Sequence, residues 1–156
     1  MIELDHIVGY NGQYLNTAIY HPYLKDTLIY NSGALVIIEP VNDKHNQTFL
    51  RGHDMEISAI EVCHSGKMLA TGQKGSAFLK IPEAPVILWD FEKRTPIFML
   101  KGLQSCVRYL KFSEDDRFLA AYGKSVGATY RGQQYADHLG LPRRLSGAHA
   151  TLRVSS

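Results

Sequence analysis

Seven histidines and two cysteines give this 156-residue chain enough side chains to hold a metal ion. A zinc site needs them at short, repeated spacings such as HxxxH, HExxH or paired cysteines. His6, His21, His45, His53, His64, His138 and His149 show none of these. Cys63 and His64 are adjacent, so within a strand they point to opposite faces and do not share an ion. Ser65 and Ser105 lack the context of a nucleophile elbow. Gly72-Gln73-Lys74-Gly75-Ser76 brings glycines and a lysine together without the spacing of a phosphate-binding loop. No catalytic, cofactor-binding or metal-binding residue is expected. What stands out is a pair of dipeptides, Gly52-His53 and Trp89-Asp90, with Thr71 between them.

The elements around those residues read as short β-strands separated by turn residues. Residues 17–20 stop at His21-Pro22, where proline cannot donate to a ladder. Residues 27–30 lead to the turn Asn31-Ser32-Gly33, residues 35–39 end at Pro40, and residues 47–50 run into Gly52-His53. The pattern then restarts at 57–62, turns at Ser65-Gly66, and continues with 68–71, 86–89 and 97–100. A third round opens with 107–112, turns at Glu114-Asp115-Asp116 and enters 118–122. Ile60, Val62, Leu69 and Ala70 fall on Leu110, Phe112, Leu119 and Ala120 at an offset of 50, while Tyr20 to Val62 gives 42. A period of ~40–45 residues with four strands is that of a propeller blade, and the connection over residues 72–85 accounts for the longer second round.

After Gly123 the period is lost. Residues 124–156 carry scattered glycines and arginines without sustained alternation, so an irregular or disordered tail is expected. A frame change or an error in the gene model near Lys124 would produce such a break.

Composition bounds the partners. Apolar residues make up 45% of the chain, enough for a core, and the net charge of +2 comes from interspersed residues of both signs. There is no basic stripe for nucleic acid and no apolar run near membrane-spanning length. Cys63 and Cys106 read as reduced thiols. Met1-Ile2-Glu3-Leu4-Asp5 has neither a basic nor an apolar segment of a secretory leader. An intracellular, soluble chain is expected.

Gly-His before a first strand and Trp-Asp after a third resemble the punctuation of a WD-repeat blade. In such blades the histidine bonds a hydroxyl on the second strand, which in turn bonds the indole N–H on the third. The resemblance implies that Gly52, His53, Thr71, Trp89 and Asp90 are a structural blade motif, with Asp90 capping a turn. Many blades add an acidic residue that orients the histidine. None lies between Gly72 and Ile81 here, so the network is expected to be incomplete.

A longer series is more specific. Ile7-Val8-Gly9-Tyr10-Asn11-Gly12, His21-Pro22, Ile29-Tyr30 with Gly33, Val36-Ile37-Ile38 and Phe49-Leu50-Arg51-Gly52-His53 occur in order. Ser65-Gly66, Ala70-Thr71-Gly72-Gln73 and Ile87-Leu88-Trp89-Asp90-Phe91 continue them. Over residues 2–123 this series resembles the cilia- and flagella-associated protein 52 family. The resemblance implies an all-β fold, a partial propeller of about two and a half WD-repeat blades over residues 1–123 followed by the irregular tail over 124–156. It implies a non-enzymatic structural part of the axoneme of the cilium or flagellum, located inside doublet microtubules. Tubulin and neighbouring inner proteins would be its partners, with no cofactor, nucleic acid, membrane or small-molecule substrate. That family's tandem propellers need about fourteen blades of ~40–45 residues. The echinoderm microtubule-associated protein-like group shares several of these features and implies binding to the microtubule's outer surface instead. A generic cytoplasmic WD-repeat adaptor is the other alternative. Turns and the 72–85 connection, with Phe78, Leu79 and Ile81, are the expected contact regions.

Overall fold

The computed structural model describes residues 3–76, 83–124 and 148–154. Eleven strands among them build three antiparallel sheets. Blade 1 is β1 (Ala18–Tyr20), β2 (Thr27–Ser32), β3 (Leu35–Pro40) and β4 (Thr48–Leu50). Blade 2 is β5 (Ile57–Val62), β6 (Met68–Gln73), β7 (Val86–Asp90) and β8 (Thr95–Leu100). Both pair in sequence order, so each blade is an antiparallel meander, with the connection between β6 and β7 its longest link. Blade 3 comprises β9 (Cys106–Phe112), β10 (Phe118–Lys124) and β11 (Ala148–Arg153), in the order β11-β10-β9.

Burial explains the strands. In β3 and β7 most residues are buried; β7 lies in blade 2, which has a neighbouring sheet on each face. Ile29, Ile38 and Leu50 of blade 1 pack with Ile60, Leu69 and Trp89 of blade 2 in one core. Ala59, Ala70 and Leu88 of blade 2 pack with Val107, Phe112 and Leu119 of blade 3 in a second core. Small residues at the second seam let the sheets approach closely. A Cβ on Gly72 would stand 2.5 Å from Val107 Cγ1. Ser58 is the extra residue of a bulge between Ile57 and Ala59, and its hydroxyl donates to Val107 O at 2.6 Å. The pairing of β10 with β9 skips Arg108, so the bulge recurs at an offset of 50.

A second set of contacts runs through the turns that join the first and second strands of each blade. His21 Nε2 donates to Gly66 O at 2.9 Å while Nδ1 accepts from the Tyr23 and Leu24 amides. Asp116 of blade 3 accepts from the His64 and Ser65 amides of blade 2, both at 2.7 Å. Gly66, at φ 74°, has no room for a side chain beneath the His21 ring. The three turns are thus stitched in order along one end of the stack.

One expectation changes. The tail contains a strand: Ala148–Arg153 pairs antiparallel with β10 along Phe118–Gly123. The third sheet thereby satisfies the backbone groups along the otherwise open edge of β10. The six-residue segment is too short for its alternation to stand out among the glycines and arginines; residues 125–147 lie outside the described residues. The 72–85 connection is anchored at both ends to the approach to blade 3, by Gly75 N–H to Ser105 O and Ala84 N–H to Leu103 O. Its Phe78, Leu79 and Ile81 lie outside the described residues. Cys63 and Cys106 are both free thiols.

The close approach at Gly72 is testable. Gly72→Ala is expected to cost about 1–3 kcal/mol by overpacking against Val107. Gly12→Ala, where the new Cβ meets only Tyr10 Cε1 at an ordinary 3.6 Å, is expected to be near neutral. Urea denaturation of both variants decides it, and equal stabilities would remove the tight seam from the account.

Candidate functional site

The polar residues singled out by the sequence meet inside blade 2. Thr71 and Gln73 lie two apart on β6, so their side chains share a face. Register places Leu69 opposite Trp89 and Thr71 opposite Ile87, which sets the indole diagonally from the Thr71 hydroxyl. Gly52 then lets the incoming loop run over the ring. A Cβ there would stand 3.0 Å from Trp89 Cη2. His53 follows and drops its imidazole into the space between Thr71 and Gln73.

The hydrogen bonds form one directed chain. Trp89 Nε1–H donates to Thr71 Oγ1 at 2.8 Å, and Thr71 Oγ1 lies 2.7 Å from His53 Nε2. His53 Nδ1 lies 2.8 Å from Gln73 Oε1, which also accepts from the Asp54 amide at 3.3 Å. An amide oxygen can only accept, so Nδ1 carries the proton and Nε2 accepts from the threonine hydroxyl. When His53 is neutral the Trp89, Thr71 and His53 donors each meet an acceptor, while the buried Gln73 Nε2 has no hydrogen-bond partner among the described residues. Protonation would put a second donor on Thr71 Oγ1 and turn its own proton toward Ile87 O, 3.5 Å away. Burial also pushes the His53 imidazole below its ordinary pKa, against smaller opposing effects of Gln73 and Asp54.

The expectation of an incomplete network changes at one point: His53 is oriented, by Gln73, while Gln73 Nε2 itself stays without a partner among the described residues. Gln73, buried and two residues after Thr71, does what an acidic residue does in other blades. A search for acids in the following connection missed it, although the period of two along a strand points to it. Asp90 lies outside the network. Its carboxylate accepts from the Lys93 amide at 2.9 Å and caps the β7–β8 turn. That hydrogen bond and the Lys93 ammonium hold its pKa below the ordinary carboxylate value.

Blades 1 and 3 solve the same diagonal differently. Register makes Tyr30 and Glu39 the counterparts of Thr71 and Trp89. There Tyr30 Oη donates to Glu39 Oε2 at 3.0 Å, and Gln47 Nε2 donates to the same oxygen at 2.7 Å. Burial and the Glu39 carboxylate push the Tyr30 phenol up to about 12. In blade 3 the offset of 50 replaces His53 with Leu103 and Thr71 with Ala121, both buried in the apolar core. Among the described residues no group of three or more histidine, cysteine or acidic side chains could hold a metal ion.

Comparison with known proteins places these blades. No protein-family model matches the chain. Cilia- and flagella-associated protein 52 of Mus musculus is 34% identical over 122 residues, covering 78% of this chain and 19% of that protein. The Chlamydomonas reinhardtii protein of that name is 33% identical over the same length and coverage. WD repeat-containing protein 90 of Mus musculus is 30% identical over 125 residues, or 6% of its own length. The chain thus spans about a fifth of the first of these relatives. A chain in the crystal structure of the mitotic checkpoint complex superposes with a TM-score of 0.57 at 18% identity, over 77% of this chain and 32% of that one. That likeness concerns the fold alone.

Two predictions follow from the network's geometry. Thr71→Val keeps the volume but strands the Trp89 N–H and His53 Nε2, so it should cost about 2–4 kcal/mol in urea denaturation. A cost under about 0.5 kcal/mol would mean that the relay contributes nothing net. The second concerns pH. An unfolded histidine titrates near 6.5, and His53 titrates lower when folded, so the unfolded chain binds the extra proton first. Its contribution is fully present above about pH 6.5 and is lost as pH falls toward the folded value. The urea midpoint should drop between pH 7.5 and 5.5, and drop less in a His53→Leu, Thr71→Ala, Trp89→Phe variant. An equal drop in both proteins would assign the effect to other groups.

Proposed function

On the footing that the chain is a WD-repeat segment related to cilia- and flagella-associated protein 52, we propose that it serves as a non-enzymatic structural scaffold of the axoneme of motile cilia and flagella. The finer form of the proposal is a microtubule inner protein, held within doublet microtubules by tubulin and neighbouring inner proteins. The observation that carries it is the 122-residue similarity to relatives named for cilia and flagella, from an alga to mammals.

The chemistry of the blades agrees with a scaffold. His53, Thr71, Gln73 and Trp89 bond to one another and are buried, so their polar atoms stabilise the blade. His21 and Asp116 are likewise occupied in stitching blades together. What remains for recognition is the outer surface: turns, the perimeter strand β8 and the exposed aromatic rings of Tyr20 and Tyr23. Surfaces of this kind suit contact with other proteins.

Quantitative mass spectrometry of isolated flagella, divided into detergent-soluble, salt-extracted and residual doublet fractions, tests the proposal. Peptides of this chain are expected to stay with the salt-resistant doublets. Enrichment in the salt extract would favour an outer-surface microtubule binder, and enrichment in the detergent-soluble fraction a generic WD-repeat adaptor.

A further inference from the structure

We propose that Asn11-Gly12 is a self-modification site, where loss of the Asn11 side-chain amide places a carboxylate against Glu56 and loosens the loop of residues 11–16 from the approach to blade 2. Asparagine followed by glycine occurs once in the chain. The pairing matters because the backbone nitrogen of the second residue must reach the asparagine Cγ, and a side chain on that residue would crowd the approach. Both residues are exposed and lie outside the strands.

The local geometry favours the attack. Asn11 Oδ1 accepts from the Gln13 amide at 3.2 Å, an Asx turn that folds the carboxamide back along the Gly12 backbone. Gly12 N–H donates to no group among the described residues, so removing its proton breaks no hydrogen bond within the protein. The other described asparagines differ. Asn31 is buried, and its Nδ2 donates to Ile57 O at 3.1 Å. Asn16, Asn42 and Asn46 are exposed but precede threonine, aspartate and glutamine.

The reaction balances with water alone. Hydroxide takes the Gly12 amide proton, and that nitrogen forms a bond to Asn11 Cγ. The Cγ–Nδ2 bond breaks, and the side-chain nitrogen takes a proton from water and departs as ammonia, leaving a cyclic imide. Water then opens the ring at either carbonyl. Opening at Cγ leaves aspartate; opening at the main-chain carbonyl leaves isoaspartate, with the backbone running through the former side chain. Both products have lost the Nδ2 donor and gained a negative charge.

That donor ties the loop to blade 2. Asn11 Nδ2 donates to Glu56 Oε1 at 2.6 Å, while Glu56 Oε2 accepts from Lys74 Nζ. Glu56 O also accepts from the Lys74 amide, which fixes the glutamate between the start of β5 and the end of β6. A carboxylate at position 11 sets like charges side by side, with one ammonium to share between them. Ile7 stays bonded to Gln47 and Thr17 stays buried, so the change is confined to the loop between them.

Incubation of the full chain in mildly alkaline buffer, followed by peptide mass spectrometry, tests the site. Asn11 should gain one mass unit ahead of Asn16, Asn31, Asn42 and Asn46, as two products that separate on chromatography. Gly12→Ala should slow the gain to the rate of those others. Asn11→Asp, which encodes one product, should be cut by chymotrypsin after Tyr14 about tenfold faster than the wild type, the effect of losing a hydrogen bond to a charged group. Adding Glu56→Gln to Asn11→Asp restores an amide donor opposite a carboxylate and should return cleavage to the wild-type rate. An Asn11 that reacts no sooner than the other asparagines, or as fast in Gly12→Ala, would overturn the site. Unchanged cleavage of Asn11→Asp would overturn the loosening, and fast cleavage that persists with Glu56→Gln would overturn charge repulsion as its cause.

Discussion

A four-stranded blade has two sides and no hydrophobic interior of its own, so each sheet must be sandwiched before it is stable. That requirement organises the molecule. It explains why β7 of blade 2 reads as an almost continuous apolar run where a half-exposed strand would alternate. It also explains why the most restrictive residues sit at seams. Gly72 and Ser58 hold blades 2 and 3 at a separation that a larger residue would prevent. Gly66 does the same beneath His21. Blade-to-blade contact is thus set by small residues and backbone-directed hydrogen bonds, and the large side chains fill the space that those contacts define.

Within each blade, one diagonal position shows how buried polarity is handled. In blade 2 the series from Trp89 through Thr71 and His53 to Gln73 gives each of those donors an acceptor. In blade 3 Leu103 and Ala121 take the places of His53 and Thr71 together. Replacing both partners costs little, whereas replacing one strands the other. Blade 1 uses a carboxylate, a phenol and an amide, and recruits the backbone of Ile7 through the same amide. The three solutions differ in chemistry but share a tendency: most polar atoms at this diagonal are paired with each other or absent, Gln73 Nε2 being left without a partner among the described residues.

Most of the strands could be read from residue pattern because turns and proline bound them sharply. His21-Pro22, Ser65-Gly66 and Glu114-Asp115-Asp116 fall where the sheets turn, β2 runs on through Asn31 and Ser32 to turn at Gly33, and the offset of 50 brings the bulge of β5 onto that of β9. Long-range partners were harder to read. Gln73 looks like an ordinary polar residue at a strand end until the His53 loop is folded over it. Likewise, Gln47 gives no hint along the chain that it will hold Ile7, forty residues away. Strand β11 escaped for a third reason. Its short segment is selected by the open edge of β10, and such selection lies in the sheet more than in the strand's own residues.

The edge of blade 2 shows how the same physics limits what the surface can do. Ile97, Phe98 and Met99 of β8 are about half exposed on a perimeter strand, a composition that invites pairing with other chains. Two features oppose this. Pro96 has no N–H to give to a neighbouring strand, and the register shift between Leu88 and Trp89 disturbs the flat edge that pairing needs. Strand addition is thus hindered, while the side chains stay available for contact by their faces. With most of the interior polar groups engaged with one another and the perimeter edge blunted, the side chains left free for contact are those on turns and rims.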